Sequence, residues 1–226
     1  LISRNEALRD IHFPINDSVR KKAEFRLKFE ELFFIQLNLL SSKAYRKHKF
    51  NGFVFKELKD YFNKFYNNHL PFSLTNAQKT VIKEIRRDML SGSQMNRLLQ
   101  GDVGSGKTIV AVLSMLMALD NGFQACIMAP TEILANQHFK SISQYLFALG
   151  VKIELLTGSI KGKKRKEILD RLAIGDIQLL IGTHALIEDP VTFSRLGLVV
   201  VDEQHRFGVR QRNRLLNKGL QPHLLT

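Results

Sequence analysis

The sequence predicts an α/β fold, a parallel sheet with helices on both faces, preceded by a mainly helical N-terminal segment. Three observations predict it. From residue 71 onward short apolar runs alternate with helical segments, and the runs are rich in Leu, Ile and Val without clean alternation, as parallel strands buried on both faces require. The first of those runs leads directly into Gly101-Asp-Val-Gly-Ser-Gly-Lys-Thr108, a glycine-rich turn of the kind that joins a strand to the helix it feeds. Residues 21–40 place Phe25, Phe29, Leu32, Phe33 and Gln36 at helical spacing, with Lys, Glu and Arg filling much of the rest, which reads as one long amphipathic helix.

Taken in order, the Phe stripe of residues 21–40 is expected to be a packing face, against the core or another domain, rather than a ligand site. Ser41–Phe55 reads as a basic loop, densest at Tyr45-Arg-Lys-His-Lys49. A second helix is expected from about Phe55 to Asn67, ending before Pro71 because the residue preceding proline is pushed out of the helical region. The predicted strands are Leu98–Gln100, Ala125–Ala129, Lys152–Leu156, Gln178–Ile181 and Leu198–Val201. Two units are therefore expected, a helical segment at 1–70 and the α/β domain at 71–226, with the ligand site at the carboxyl ends of the strands.

Composition narrows the partner. Thirty-four Lys and Arg against 21 Asp and Glu give a net charge of +13, which favours a polyanion such as nucleic acid. The excess is spread over the chain, with 14 basic and 8 acidic residues in 1–70 and 20 and 13 in 71–226. Cys126 is the single cysteine, so an intrachain disulfide and a thiolate metal cluster are excluded, in keeping with a reducing cytoplasmic compartment. The longest apolar stretch, Ile109–Leu119, falls short of the roughly 20 residues of a membrane-spanning helix. The chain begins at Leu1 without a methionine and reaches Thr226 in what reads as the start of a strand, so it is expected to be part of something longer.

Gly101–Thr108 matches G-x-x-x-x-G-K-[ST], the Walker A phosphate loop. Small residues such as Gly101, Gly104, Ser105 and Gly106 let successive backbone N–H groups converge on phosphates, and the helix that follows directs its positive dipole end at them. Lys107 can then reach the β- and γ-phosphates, and Thr108 can ligate Mg²⁺. Leu198-Val-Val-Val-Asp202-Glu203 supplies the Walker B complement, an apolar strand ending in two carboxylates. Asp202 is expected to hold Mg²⁺ through water, and Glu203 to orient or deprotonate the water that attacks the γ-phosphate. A carboxylate beside the metal-binding Asp points to hydrolysis, because a water nucleophile needs a polarising base.

The base is expected to be adenine. In Phe72-Ser-Leu-Thr-Asn-Ala-Gln78 the glutamine amide matches adenine's N6 donor and N7 acceptor, and the phenyl ring can cover the base; Leu74 belongs to the same stretch. Thr75 and Gln78 also fit a helix capping box, and both readings can hold together.

The order and spacing of Gly101–Thr108, Ala129-Pro-Thr-Glu-Ile-Leu-Ala-Asn-Gln-His138, Leu156-Thr-Gly-Ser159, Gly182-Thr-His-Ala-Leu186 and Asp202-Glu-Gln-His205 resemble those of superfamily-2 helicase motifs. Within that superfamily, Asp202-Glu-Gln-His-Arg-Phe-Gly-Val-Arg-Gln-Arg212 and Leu70–Gln78 closely resemble the RecG-type ATP-dependent DNA helicases. The resemblance covers essentially all of 70–226 and extends more weakly to Ala7–Pro14 and the Phe-rich helix. It implies a P-loop NTPase domain of the RecA-like type, the first motor domain of an enzyme that remodels branched DNA or stalled replication forks in recombination and repair. Residues 1–70 then join a wedge region to that motor. By the family pattern the chain is truncated before motif III, without the second RecA-like domain, so the isolated piece is expected to bind ATP but hydrolyse it poorly.

The same resemblance assigns Pro130, Thr131, Gly158, Ser159, Thr183 and His184 to contacts with the DNA backbone, and Gln204 and His205 to coupling with the facing domain. Lys161-Gly-Lys-Lys-Arg-Lys166 puts five basic side chains after Ser159, fitting a phosphate-tracking role for Lys161 and its neighbours. Arg206, Arg210 and Arg212 have no assigned role. Two other readings compete: a transcription-repair coupling translocase, against which Gln204 and Ser105 weigh, and an ATP-switched protein-interaction module.

Overall fold

The computed structural model describes residues 1–49 and 51–226, the side chains of residues 43 and 46–49 lying outside that set. Its Cα positions divide into two compact units, Leu1–Lys49 and Phe50–Thr226.

The first unit is a helical pair. Helix α1, Arg4–His12, opens with a capping box in which Glu6 N–H donates to Ser3 Oγ and Ser3 N–H donates to Glu6, satisfying amides that the first turn leaves unpaired. Helix α2, Asp17–Lys49, is longer than the periodicity of 21–40 indicated. The expected loop at 41–49 is helical in its backbone, because no glycine or proline interrupts the chain before Asn51-Gly52. The basic side chains at 46–49, and residue 50, lie outside the described residues. Ala7 and Ala23 are fully buried, and Arg26 Nε donates to the Ile2 carbonyl at 3.0 Å. The Phe stripe is exposed: Phe25, Phe29 and Phe33 stack along the helix at 63, 43 and 49% exposure.

The second unit contains the sheet, but it begins well before residue 71. Phe55, Phe62 and Phe65 are buried in the same core as Ile82, Ile85, Met89 and Leu116, so residues 51–70 are part of the α/β unit, and the expected boundary at 70 moves to 49. Gly52 lies against a neighbouring turn, where a Cβ would stand 2.6 Å from the Ser93 and Gln94 backbone. Residues 55–59 are not helical. The end of the long buried helix takes two of their amides, Lys59 N–H donating to Asp120 and Glu57 exchanging hydrogen bonds with Asn121, and Asp120 also accepts from Tyr61 and Phe62 just beyond. Helix α3, Asp60–Lys64, starts on that carboxylate, an anion at the positive end of the helix, and runs into a π-helical turn at Phe65–His69.

Helix α4, Asn76–Leu90, leads into six parallel strands: β1 Asn96–Arg97, β2 Gln124–Met128, β3 Ile153–Leu156, β4 Leu179–Gly182, β5 Leu196–Val201 and β6 His223–Leu225, in the order β1-β6-β5-β2-β4-β3. The connecting helices are α5 Lys107–Asp120, α6 Glu132–Leu146, α7 Gly162–Ala173 and α8 Val209–Leu216. The first predicted strand is displaced, since pairing with β6 falls on residues 96 and 97 rather than 98–100.

Strand side chains alternate between two cores. Ala125, Ile127, Leu179, Ile181, Leu198 and Val200 join α4, α5 and α6, while Cys126, Met128, Leu180, Val199 and Val201 join α7 and α8. That alternation, with both faces apolar, explains strands without a polar side. Helix α5 is buried along Ile109–Leu119, and burial of each large side chain there contributes about 1.5–3 kcal/mol. Cys126 is core as well, its thiol pKa pushed up by burial.

Candidate nucleotide and nucleic-acid site

The phosphate loop joins β1 to α5. Gly104 and Gly106 have φ of +82° and +78°, a left-handed conformation that strains any residue with a Cβ. Gly106 is the N-cap of α5, and a Cβ there would stand 2.4 Å from Gln78 Nε2. Lys107 Nζ donates to the carbonyls of Gly101 and Asp102, both at 2.7 Å, so the ammonium is held against the loop that leads to it. Thr108 follows on the first turn of α5, partly exposed.

The glutamine reading resolves into structure. Thr75 and Gln78 form the capping box of α4: Gln78 N–H donates to Thr75 Oγ1 at 3.2 Å, and Thr75 N–H donates to Gln78 Oε1 at 2.9 Å. The other end of the amide donates from Nε2 to the Ser105 carbonyl at 2.8 Å. Gln78 therefore ties the start of α4 to the phosphate loop, leaving one amide hydrogen and one carbonyl lone pair for a base. Phe72 is 46% exposed, its ring tip within 3.9 Å of the position a Cβ on Gly106 would take. Leu74 is buried in the core, at 6% exposure.

Asp202 and Glu203 stand at the end of β5, next to β2. Asp202 N–H donates to the Met128 carbonyl at 3.0 Å, which brings the carboxylate beside the Pro130-Thr131 turn. His138, from α6, places Nε2 2.8 Å from Asp202 Oδ2. That hydrogen bond is the main cause holding the Asp202 carboxyl below its usual pKa, with the Lys107 charge adding to it against the opposing effect of burial. Glu203 has a left-handed backbone, φ 49° and ψ 52°, and its side chain is half exposed. His205 Nδ1 lies 3.4 Å from Glu203 Oε2, and Arg212 Nη1 donates to Gln204 Oε1 at 2.8 Å. The arginine without an assigned role thus holds a motif residue, while Arg206 and Arg210 are exposed.

The donors fit a hard divalent cation. Thr108 supplies a hydroxyl and Asp202 an ionised carboxylate, and Mg²⁺ takes such oxygens together with water and phosphate oxygens rather than a closed protein cage. Among the described residues no group of three or more His, Cys, Asp and Glu forms such a cage.

The strand-end turns form a continuous ledge along β5, β2, β4 and β3. Thr131 caps α6, its Oγ1 accepting from Leu134 N–H at 3.2 Å. Glu132 Oε1 accepts from Ser159 N–H at 3.1 Å, joining the turn after β2 to that after β3. Gly158, Ser159 and His184 are exposed, and Pro130 is partly so. Thr183 departs from expectation: it is 1% exposed, sealed beneath the turn after β4, so its side chain is not placed to meet a backbone phosphate in this conformation. Lys161 is the exposed N-cap residue of α7, while Arg165 in the same cluster is drawn to Glu188 at 2.6 Å.

A family model described as DEAD/DEAH box helicase matches residues 75–222. The chain is 49% identical over its whole length to a protein of Synechocystis sp. named ATP-dependent DNA helicase RecG, and 49% identical to one of the same name from Streptococcus pneumoniae. It spans 27 and 33% of the lengths of those two curated relatives. A solved structure of RecG bound to a three-way DNA junction superposes with a TM-score of 0.84 at 42% identity, covering 97% of this chain and 29% of that one.

Proposed function

The chain belongs to the DEAD/DEAH box helicase family, and from that premise we propose that it is the first RecA-like motor domain of an ATP-dependent DNA helicase or translocase that remodels branched DNA or stalled forks. The observation that carries the proposal is the ledge itself: the carboxylates after β5 and the turns after β2, β4 and β3 stand side by side at one edge of the sheet. ATP chemistry and a DNA track are thereby served by consecutive strand ends. The bacterial relatives named RecG support the finer reading, as does likeness to a RecG solved on a three-way junction. A cytoplasmic location follows from the same reading and suits the single reduced, buried cysteine; no helix among the described residues is long and apolar enough to cross a membrane.

In this reading Phe72 and Gln78 meet adenine, the amides of 101–106 and Lys107 hold the phosphates, and Thr108 and Asp202 hold Mg²⁺. The cation, when bound, neutralises phosphate charge and orients the terminal phosphoryl group. Glu203 positions and deprotonates the attacking water. Gln204, braced by Arg212, and His205, beside Glu203, transmit the state of that site to a facing domain. Pro130, Thr131, Gly158, Ser159, His184 and Lys161 contact the DNA backbone, mostly through main-chain groups and charge.

Because the chain spans only 27 and 33% of the lengths of those relatives, we assign full turnover to a longer protein in which a second domain completes the cleft. The 226 residues alone should bind ATP yet hydrolyse it slowly, as the charge developing on the γ-phosphate is neutralised from one side only. The test is DNA-stimulated ATPase activity of the full-length protein. Lys107→Ala and Glu203→Gln should each reduce it by at least about a hundredfold, the scale of losing a main transition-state contact. Undiminished turnover in both variants refutes the assignment. DNA affinity that falls steeply between low and physiological salt is expected of phosphate contacts; no DNA binding at either would favour a nucleotide-switched protein-interaction module.

A further inference from the structure

Helix α6 does more than cover the sheet. The residues at its start join the turns after β2 and β3, through the Thr131 cap and the Glu132–Ser159 hydrogen bond. Seven residues after Thr131, two turns along the same face and about 10 Å on, His138 Nε2 meets Asp202 Oδ2 at 2.8 Å. The helix between them is seated rigidly, with Ala135, Ile142 and Leu146 buried. Both side chains of the pair are partly shielded, at 18 and 32% exposure. The two residues lie 64 positions apart, so no local backbone constraint brings them together.

We infer that His138 is a positioning residue for the divalent cation: its ring N–H fixes one oxygen of Asp202 and so sets the rotamer in which that carboxylate meets the metal. This rests on the reading of Asp202 given above. The chemistry is that of an outer partner orienting a ligand, whose removal typically lowers metal affinity by about 10- to 100-fold. A merely structural histidine, filling space between α6 and β5, would leave cation affinity alone once its volume was kept.

The experiment measures binding, not turnover. A fluorescent ADP analogue is titrated onto the 226-residue chain at increasing Mg²⁺, and the cation concentration for half-maximal binding is read. His138→Phe, which keeps the ring volume and removes the donor, should raise that concentration by about 10- to 100-fold. His138→Gln, which returns an N–H near the Nε2 position, should restore it to within about threefold of wild type. Asp202→Asn serves as the reference, and adding His138→Phe to it should have no further effect, since the histidine acts through that carboxylate. If Asp202→Asn shifts the Mg²⁺ dependence and His138→Phe does not, the inference is overturned and the nucleotide site stands. If Asp202→Asn itself has no effect, the reading of the site fails and the inference with it. A Gln variant as impaired as the Phe variant also overturns the inference, because the donor would not be what matters.

Discussion

Gln78 offers the sharpest perturbation, because one amide bridges two elements. In Gln78→Glu the side chain keeps its shape and can still accept from Thr75 N–H, so the capping box at the start of α4 survives. What disappears is the Nε2 donor to the Ser105 carbonyl, replaced by a carboxylate oxygen facing a carbonyl oxygen at 2.8 Å. One such hydrogen bond is worth about 1 kcal/mol net, so a loop released by its loss should bind every nucleotide about fivefold more weakly. If the second amide hydrogen also serves adenine N7, ATP loses a further contact of similar size, about 30-fold in all, while CTP, whose pyrimidine has no N7, loses only the loop term. Fluorescence titration of the purified variant with ATP and CTP analogues measures both, and urea melts check that the fold is retained. Equal affinities for variant and wild type would refute the idea that this glutamine organises the loop. A uniform fivefold loss would keep the tie and remove adenine recognition from Gln78.

Two further outcomes test the scaffold. His223 is buried, its Nδ1 accepting from Met95 N–H and its Nε2–H donating to the Phe53 carbonyl, and burial lowers its pKa against the opposing pull of the Phe53 carbonyl. The unfolded chain therefore takes up a proton at about pH 6.5 that the folded chain resists: stability is complete above that pH and falls as the pH drops through the window between the unfolded and lower folded values. Urea midpoints measured from pH 7.5 to 5.5 should fall in wild type and stay flatter in His223→Gln; parallel curves would contradict this account. Gly182 lies in β4 where an added Cβ would stand 2.1 Å from the Leu156 carbonyl, so Gly182→Ala should destabilise by about 3 kcal/mol or more, read as a lowered urea midpoint, and wild-type stability would show that β3 yields more easily than its packing implies.

Much of this was legible because it is local. A loop whose amides must converge dictates glycine at fixed offsets, and a buried strand ending in Asp202 and Glu203 announces itself by hydropathy followed by charge. The capping box was readable from Thr75 and Gln78 for the same reason. The Gln78–Ser105 and His138–Asp202 contacts were not, since the residues stand 27 and 64 positions apart and only tertiary packing joins them. The stretch 55–59 misled because its Phe and Leu residues suit a helix, while Asn121 and Asp120 take up the amides of Glu57 and Lys59 from across the fold. Thr183 sits within a recognisable motif, yet motif position carries no information about which side of a turn a hydroxyl faces.

The Asp120 clasp has a mechanical side. Helix α5 is 14 residues long, about 21 Å from end to end. One end is the phosphate loop; the other grips the incoming chain through Asp120 and Asn121. A helix buried along nearly its whole length is held rigidly, so under the reading proposed above a pull on the chain ahead of residue 57 would bear on the back of the rod whose front carries the phosphate loop. The phosphate loop and the anchor of the incoming chain are thereby the two ends of one buried helix.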